Sequence, residues 1–429
     1  METVKFYTLG CKVNQYDTQN IREQFIGARF KELDNNKPAD IYIINTCTVT
    51  HRADAKSLSL IRRAKGENPK AKIVVTGCLA ELDVGKIRKI DGASLILKNK
   101  DKKNILKYLL PLNLRTGELA NWRTINGISY FKAHTRAFLK IQDGCNNSCS
   151  YCKVPLVRGR SQSKPLDEVI REAENLVRND FREIVLCGIC LGAYGGDLKP
   201  PVSLVEVIDK LENIEGILRI RLSSIEANDV SDRLIDKIAG SQKLCPHLHI
   251  PIQSGDDDIL RKMHRSYKRD DYINLIKRIK KKIPSIAITT DCLVGFPGEN
   301  EENFLNTVRL IKETLPLKTH IFPYSRRDGT CAASEFKEEI SHIVVKERLT
   351  RMREVAEECA SRYKRRFLNT DMLVLIEGKS KLRTNLWEGY TDNYIKVLVE
   401  SGLNLKNKLI RVHLDSINGV YILAYLEHL

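Results

Sequence analysis

Gln142-Asp143-Gly144-Cys145-Asn146-Asn147-Ser148-Cys149-Ser150-Tyr151-Cys152 is the stretch of sequence that decides the fold. It directly follows an apolar run, Ala137 to Ile141, with the composition of a buried strand. The C-x3-C-x2-C spacing presents three thiols on one compact loop. Three thiolates can hold three corners of a four-iron cluster and leave one iron open to a small ligand, whereas electron carriers usually close all four corners with cysteine. The loop therefore predicts an iron-sulfur cluster that takes part in chemistry.

Zinc is the main competing metal for this loop, and three inert thiols are the other alternative. A structural zinc ion needs four protein ligands and favours paired C-x2-C knuckles. No second knuckle follows Cys152 closely, because the next C-x2-C pair, Cys187 and Cys190, lies 35 residues further on. The cluster is therefore the favoured interpretation.

From Ala137 onward, six apolar runs alternate with charged helical segments such as Leu166 to Arg178 and Asp271 to Lys282. Consecutive parallel strands need such crossover helices, and right-handed crossovers build a curved sheet or partial barrel. The functional edge of that sheet should lie at the carboxyl ends of its strands. The predicted strands are Ala137 to Ile141, Glu183 to Leu186, Leu218 to Leu222, His247 to Pro251, Ala287 to Leu293 and Lys318 to Pro323.

A smaller α/β alternation precedes this region and predicts a parallel sheet with crossover helices. Its predicted strands are Val4 to Leu9, Ile41 to Ile44, Ile73 to Val75 and Ser94 to Leu97. The stretch from Leu110 to Ala133 lacks strong periodicity, and we interpret it as a linker with a short strand.

Three cysteines, Cys11, Cys47 and Cys78, each follow one of the first three strands. The carboxyl ends of parallel strands share one edge, so these thiols can converge on one site. Gly10 and Gly77 would let the backbone turn tightly there. Three unrelated buried cysteines, or a zinc site completed by His51, are the alternatives that the spacing leaves open.

The last part of the chain changes character after a long basic helix predicted from Val345 to Leu368. Short β runs without long helices between them predict a small antiparallel β barrel. These runs are Met372 to Ile376, Tyr394 to Val399, Leu409 to Leu414 and Val420 to Leu426. Aromatic and basic side chains in this tail suit contact with single-stranded RNA by stacking and phosphate binding: Trp387, Tyr390, Tyr394, Lys379, Lys381, Arg383 and Lys396.

The composition adds a strong positive charge. The chain has 71 Lys plus Arg against 54 Asp plus Glu, a net charge of +17 and a pI near 9.3, which favours a polyanionic partner. We find no export signal and no run of about 20 apolar residues, so we expect a cytoplasmic protein without a membrane anchor. In a reducing compartment the twelve cysteines favour metal binding or burial over disulfides.

The two cysteine triads, in this order and followed by a β tail, resemble the methylthiotransferase family of radical S-adenosylmethionine enzymes. The stretch TLGCKVNQYDT at 8–18 is most similar to the branch that modifies N6-threonylcarbamoyladenosine beside the tRNA anticodon. Further stretches agree with it: LGAYG at 191–195, RLSSIE at 221–226, HLHIPIQSGDD at 247–257, VGFPGE at 294–299 and FPYS at 322–325. In the tail, GYTDNY at 389–394 is similar to the central hairpin of the family's β barrel.

The resemblance implies an α/β protein of three parts. These are an N-terminal methylthiotransferase domain over 1–115, a radical core with a partial (β/α)6 barrel over 135–368 after a linker at 116–134, and an RNA-binding TRAM barrel over 369–429. It implies two [4Fe–4S] clusters, with Cys145, Cys149 and Cys152 holding the one that binds S-adenosylmethionine, and Cys11, Cys47 and Cys78 holding an auxiliary one. Glu226, Gln253 and Asp291 stand at or after predicted strand ends, where they could hydrogen-bond S-adenosylmethionine.

The implied reaction is methylthiolation of carbon 2 of N6-threonylcarbamoyladenosine at position 37 of tRNA. The implied partners are a tRNA anticodon stem-loop and an electron donor of flavodoxin or ferredoxin type, and we expect a monomer. The same chemistry on N6-isopentenyladenosine or on a ribosomal-protein aspartate is one alternative. A non-catalytic iron-sulfur RNA-binding redox sensor is an alternative of another class.

This sequence departs from the family pattern at two places. The family often has Arg-Ser-Arg where Gln162-Ser163-Lys164 stands here. Cys187 and Cys190 occupy positions where the family usually has other residues, and we expect them to be packing residues. We expect the remaining cysteines to be structural: Cys245, Cys292, Cys331 and Cys359.

Overall fold

The computed structural model describes residues 2–33, 37–109, 127–132, 134–383 and 385–426. Most of the predicted linker, 116–126 and residue 133, lies outside these residues. The described part of the linker forms no strand.

The N-terminal region is a parallel five-stranded sheet in the order β2-β1-β3-β4-β5. Its strands are β1 Thr3–Thr8, β2 Lys31–Glu32, β3 Ile41–Thr46, β4 Lys72–Gly77 and β5 Leu95–Ile96. Its helices are α1 Lys12–Gly27, α2 His51–Glu67, α3 Cys78–Leu82, α4 Val84–Arg88 and α5 Ile105–Leu109. Apolar side chains pack against both faces of this sheet, and β3 is buried along its whole length. All its strands pair in parallel, as the alternation predicts.

The central region contains six parallel strands in two hydrogen-bonded groups, β10-β9-β6 and β11-β12-β13. Isolated bridges from Ile220 to Leu244 and from Ser224 to His249 join the groups into one curved sheet. The strands are β6 Arg136–Lys140, β9 Glu183–Cys187, β10 Arg219–Leu222, β11 His247–His249, β12 Ala287–Val294 and β13 Lys318–Pro323. A short antiparallel pair, β7 Gln142–Asp143 and β8 Gln162–Ser163, closes the base of the cysteine loop. The predicted partial barrel is confirmed.

The helices of the central region cover the outside of this sheet and bury the largest apolar cluster of the chain. They are α6 Val154–Arg158, α7 Leu166–Arg178, α8 Leu204–Glu212, α9 Asp232–Gly240, α10 Asp257–Lys262, α11 Arg269–Lys282, α12 Glu301–Thr314, α13 Cys331–Glu335 and α14 His342–Arg365. Ser203 and Glu206 form a capping box at the start of α8, which satisfies the free amides of its first turn. No helix in the described ranges combines the length and apolarity needed to cross a lipid bilayer.

The tail is a closed five-stranded barrel in the order β14-β15-β16-β18-β17. Its strands are β14 Thr370–Lys379, β15 Leu386–Thr391, β16 Lys396–Glu400, β17 Leu409–Asn418 and β18 Tyr421–Leu426. Every pair is antiparallel except β16 with β18. The predicted small β barrel is confirmed, and sequence reasoning missed only its second strand, β15. The division of the chain at 115, 134 and 368 stays a prediction.

The tail barrel packs against the amino-terminal end of the central sheet. Arg221 donates hydrogen bonds to Glu183 (2.7 Å) and to the carbonyl of Asp392 (2.7 Å). The ring of Tyr394 stacks on His247, with 4.4 Å between centroids, and the Arg136 guanidinium lies over the Tyr390 ring. The prediction that Tyr390 and Tyr394 stack on RNA is therefore wrong, because both rings contact the central region instead.

Helix α1 packs beside β6, and a buried group of charges holds the two regions together. Asp17 accepts hydrogen bonds from Lys102 (2.9 Å), Lys140 and Arg158 (2.9 Å). Arg158 also donates to Asp143 at 3.0 Å. These cations hold the pKa of Asp17 well below its usual value, against the effect of burial. One carboxylate thus pairs with three cations from different parts of the chain, two of which also pair with Asp143.

Replacing Asp17 with alanine is expected to lower the free energy of unfolding by about 3–5 kcal/mol, because buried cations would lose their counterion. The Asp17 carboxyl has a lowered pKa in the folded chain, so its contribution is complete above its ordinary pKa of 3.8 and is lost only as pH falls below it. A urea titration at pH 7 measures the full effect. The matched control is Asp167→Ala, which removes a solvent-exposed pair with Arg171 and should change stability by less than about 0.5 kcal/mol. Equal urea midpoints for the two variants would contradict this account.

Candidate functional site

The first cysteine triad lies on the loop between β7 and α6, at the carboxyl end of the central sheet. Backbone N–H groups of Asn147 and Val154 donate to the sulfurs of Cys145 and Cys152, each at 3.4 Å. The Arg265 guanidinium donates to the sulfur of Cys149 at 3.3 Å. Donors aimed at sulfur suit thiolate ligands and tune the clusters that such ligands hold.

Electrostatic effects within this triad show that its thiols lie together. Burial raises the pKa of Cys152 to about 12, and the neighbouring thiols raise it further. A hydrogen bond from Cys190 lowers the pKa of Cys145 to about 7. The Cys190 thiol also lies 3.6 Å from a carboxylate oxygen of Asp229. Cys190 is buried beside a predicted cluster ligand, and its role as a packing residue stays a prediction.

The second triad forms at the carboxyl edge of the N-terminal sheet, where β1, β3 and β4 end. Burial raises the pKa of Cys47 to about 11, and nearby Cys78 and Cys11 raise it further. Gly10 has a φ of +102°, and a Cβ there would lie 3.1 Å from the sulfur of Cys47. Gly77 has a φ of +97°, and a Cβ there would lie 2.4 Å from the carbonyl oxygen of Thr46. Both glycines permit the tight turns that bring the three thiols to one edge, as predicted.

The spacing of the sulfurs bears on which metal the thiols could hold. In the described part of the chain, neither triad has all three sulfurs within 4.8 Å of one another. Two thiolates on one tetrahedral zinc ion lie only about 3.8 Å apart, given a Zn–S bond of about 2.3 Å. His51, the predicted fourth ligand of a zinc site, is paired with Arg327 at 3.0 Å. The wider spacing and the all-thiol donor set fit a polynuclear cluster better than a single ion.

The two triads flank the end of β9. Cys187, the last residue of β9, is close enough to Cys11 for that thiol to raise its pKa, while burial raises it most. Cys190, three residues further on, contacts Cys145. Arg158, six residues beyond Cys152, in turn acts electrostatically on Cys78, whose pKa it lowers against the larger effect of burial. The structure thus brings six predicted ligands from two separate sheets to either side of the end of β9. We call the partly exposed inner face of the central sheet at this end the chamber.

The three residues predicted to contact S-adenosylmethionine lie at different places around this chamber. Glu226 is bonded to Arg265, which also donates to Cys149, so Glu226 lies beside the first triad. Asp291 lies 3.3 Å from His249. Gln253 donates its backbone N–H to the carbonyl of Asp291 at 2.9 Å and has a φ of +65°. Only Glu226 is brought to the first triad, and a role in binding S-adenosylmethionine stays a prediction for all three.

Sequence reasoning missed three polar residues of the site. Arg158 and Arg265 contact the triads or their supports, but neither stands at a recognisable spacing from the cysteines. His320 faces Asp291 across paired strands, and the ligand atoms of His249, Asp291 and His320 all lie within 4.8 Å of one another. Alternation along β13 could have placed His320 on the inner face, because residues two apart share a face of a strand.

The segment Gln162-Ser163-Lys164, which stands where the family often has Arg-Ser-Arg, bonds to neighbouring elements. The Lys164 ammonium donates to the Tyr16 hydroxyl at 2.9 Å and to the Glu172 carboxylate. Ser163 accepts a hydrogen bond from the backbone of Gly195 at 2.8 Å. The segment therefore ties the base of the cysteine loop to α1 and α7.

Comparison with known proteins agrees with this geometry. The chain matches the Radical SAM superfamily over residues 139–311 and the Uncharacterized protein family UPF0004 over residues 3–97. A solved structure of the radical S-adenosylmethionine methyltransferase TsrM from Kitasatospora setae shares the fold. Its TM-score is 0.55 at 14% identity, and the match covers 78% of this chain and 77% of that one.

Two relatives that match most of this chain show the family to which it belongs. Threonylcarbamoyladenosine tRNA methylthiotransferase MtaB of Bacillus subtilis (strain 168) is 38% identical over 96% of this chain and 93% of its own length. The tRNA-2-methylthio-N(6)-dimethylallyladenosine synthase of Clostridium tetani (strain Massachusetts / E88) is 35% identical over 90% of this chain and 87% of its own length. The fold and the cysteine loop define a radical S-adenosylmethionine enzyme. Within that class, the chain belongs to the methylthiotransferase family, whose membership implies S-adenosylmethionine and a [4Fe–4S] cluster.

Proposed function

We propose that this chain methylthiolates carbon 2 of N6-threonylcarbamoyladenosine at position 37 of tRNA. The observation that carries the proposal is the placement of two cysteine triads on either side of the end of β9. Methylthio transfer needs one centre that activates the substrate and one that delivers sulfur, and a shared chamber suits both. The substrate part of the proposal is supported by the name of the Bacillus subtilis relative and by the stretch at 8–18.

In this proposal Cys145, Cys149 and Cys152 hold the cluster that binds S-adenosylmethionine, and Cys11, Cys47 and Cys78 hold a second [4Fe–4S] cluster. When bound, the first cluster supplies the electron that cleaves S-adenosylmethionine.

The protein's own contribution is to position these ligands and to limit access to them. Arg265 orients Glu226 beside Cys149, where the carboxylate can accept a hydrogen bond from the amino or ribose groups of S-adenosylmethionine. Arg158 joins the two regions beside the second triad, through bonds to Asp17 and Asp143. The tail barrel covers the amino-terminal end of the central sheet, so the substrate base would enter from the side of the cysteines.

The tRNA partner is supported by the net charge of +17. In the tail, Trp387 is buried and donates its indole N–H to Ser401 at 3.1 Å, so it is not available for stacking. The end of β14 presents exposed Lys379, and the loop that follows it presents exposed Lys381 and Arg383. These cations suit phosphate contacts, which would hold the anticodon stem-loop without reading its sequence. An electron donor of flavodoxin or ferredoxin type and a monomeric state complete the proposal.

The experiment that tests this function uses the reconstituted chain with S-adenosylmethionine, dithionite and an anticodon stem-loop RNA. Three RNAs differ only at position 37, which carries threonylcarbamoyladenosine, isopentenyladenosine or adenosine. Mass spectrometry of the digested RNA should detect a methylthio product on the first RNA and at least about tenfold less on the other two. A product only on the isopentenyl RNA would overturn the substrate assignment, and no product on any RNA would favour the redox-sensor alternative.

A further inference from the structure

A group of polar side chains lies together inside the central sheet. His249, Asp291 and His320 lie on the neighbouring strands β11, β12 and β13. A ring nitrogen of His249 lies 3.3 Å from an Asp291 oxygen, and the rings of His249 and His320 have centroids 5.8 Å apart. All three are only partly buried, so they line open space. We refer to these three residues as the inner polar group.

Lys12 adds a cation to the same space. It is the first residue of α1, directly after Cys11, and its side chain is exposed. Its charge contributes to the lowered pKa values of His247 and His320 and of Tyr394, and it also acts on Cys187. His247, His320 and Cys187 lie on three strands of the central sheet, so the charge of Lys12 acts on residues of several strands of that sheet.

The ammonium of Lys12 has no acidic partner among the described residues. Within the described ranges, Lys12 makes no hydrogen bond or ion pair of its own. Asp291, the one acidic member of the inner polar group, is paired with His249. His320 stays neutral, because burial and neighbouring cations lower its pKa to about 4. The chamber therefore offers an ammonium without an ion pair, the neutral imidazole of His320, and the Asp291 carboxylate held by His249.

We propose that Lys12, together with the inner polar group, binds the carboxylate of the substituent on the adenine N6 and thereby selects carboxylated over apolar substituents. This inference rests on the proposed function and names the part of the site that reads the substrate. A threonylcarbamoyl group carries a carboxylate, a hydroxyl and a urea-like amide, all of which can bond to these residues. A carboxylate on an ammonium forms a charge-assisted hydrogen bond, which is stronger than a neutral one.

The same arrangement disfavours an apolar substituent. An isopentenyl group would displace water from Lys12 and from the His249–Asp291 pair without replacing the lost hydrogen bonds. Sites built around hydrogen bonds reject ligands that lack the matching group far better than apolar pockets reject extra polar ones. Selection would thus come from the cost of leaving polar groups unsatisfied.

The test measures binding of anticodon stem-loop RNA to the reconstituted protein without S-adenosylmethionine, so that no turnover occurs. Three RNAs carry threonylcarbamoyladenosine, its carboxyl methyl ester or adenosine at position 37. Wild type should bind the first at least about tenfold tighter than the other two. Because the ester has nearly the same size and lacks only the charge, equal affinity for the acid and the ester would overturn the proposal without any variant.

The variants Lys12→Gln and Lys12→Arg test whether Lys12 causes the preference for the threonylcarbamoyl RNA. Lys12→Gln should lose the preference and keep its affinity for the adenosine RNA within about twofold, whereas Lys12→Arg should keep the preference. The control Lys312→Gln removes the same charge from the exposed outer face of α12 and should keep the preference. Iron per chain shows whether the change beside Cys11 has disturbed the nearby thiols, and it should equal the wild-type value.

The experiments distinguish a failure of the role proposed for Lys12 from a failure of the proposed function. If wild type methylthiolates the threonylcarbamoyl RNA and Lys12→Gln still prefers it, only the role of Lys12 is wrong. If wild type shows no methylthio transfer to that RNA, the proposed function itself is wrong.

Discussion

The Cys149→Ala variant is expected to lose about half of the iron that the reconstituted wild-type chain binds and all detectable cleavage of S-adenosylmethionine. Three thiols are the smallest set that holds a four-iron cluster with one open iron, so removal of one leaves too few ligands. Cys149 is the thiol that the Arg265 guanidinium contacts at 3.3 Å. The measurements are iron and sulfide per chain after anaerobic reconstitution, and formation of 5′-deoxyadenosine in the presence of dithionite.

The matched control is Cys359→Ala. Cys359 is buried on α14, and its thiol lies 3.6 Å from the carbonyl oxygen of Ile311, far in the sequence from both triads. This variant should keep the wild-type iron content and cleavage rate. Wild-type iron and cleavage in Cys149→Ala would show that the C-x3-C-x2-C loop does not hold the reactive cluster.

Replacement of Cys47 by alanine is expected to separate the two halves of the reaction. The first triad is intact in this variant, so S-adenosylmethionine should still be cleaved to 5′-deoxyadenosine. The methylthio product should fall below detection, because Cys11 and Cys78 alone cannot hold the second cluster in our proposal. Cys47 packs against Gly10, and a Cβ at position 10 would lie 3.1 Å from the Cys47 sulfur. Product mass spectrometry and 5′-deoxyadenosine are measured in the same reaction.

The control for Cys47→Ala is Cys245→Ala, another buried thiol that follows no predicted ligand pattern. It should keep both cleavage and methylthio transfer. If Cys47→Ala still forms the methylthio product at the wild-type rate, the second triad does not hold a cluster that the reaction needs.

Much of the fold could be predicted because its signals are local. The alternation of apolar runs with charged helical segments predicts both parallel sheets, and the position of each cysteine just after a strand predicts a shared edge. The tight turns at Gly10 and Gly77 could be predicted in the same way, because glycine adopts a positive φ without steric cost. These features depend on residues within a few positions of one another.

Other features depend on contacts between distant parts of the chain, which no local pattern specifies. Asp17 and Arg158 are 141 residues apart, and nothing in either segment predicts their pairing. Tyr390 and Tyr394 are aromatic residues of the kind that stack on RNA. In the structure, however, the Tyr390 ring contacts Arg136 and the Tyr394 ring contacts His247, at the end of the central sheet. Aromatic and basic residues serve equally well in RNA contacts and in domain contacts, so composition alone could not separate the two roles.

The most direct test of the central claim is mass spectrometry of nucleosides from the tRNA of a strain that lacks this gene. The strain is analysed before and after restoration with wild type or with Cys47→Ala. We predict that methylthiolated threonylcarbamoyladenosine disappears in the deletion strain, returns with wild type and stays absent with Cys47→Ala, while its unmethylthiolated precursor accumulates. An unchanged level of the methylthiolated nucleoside in the deletion strain would contradict the account.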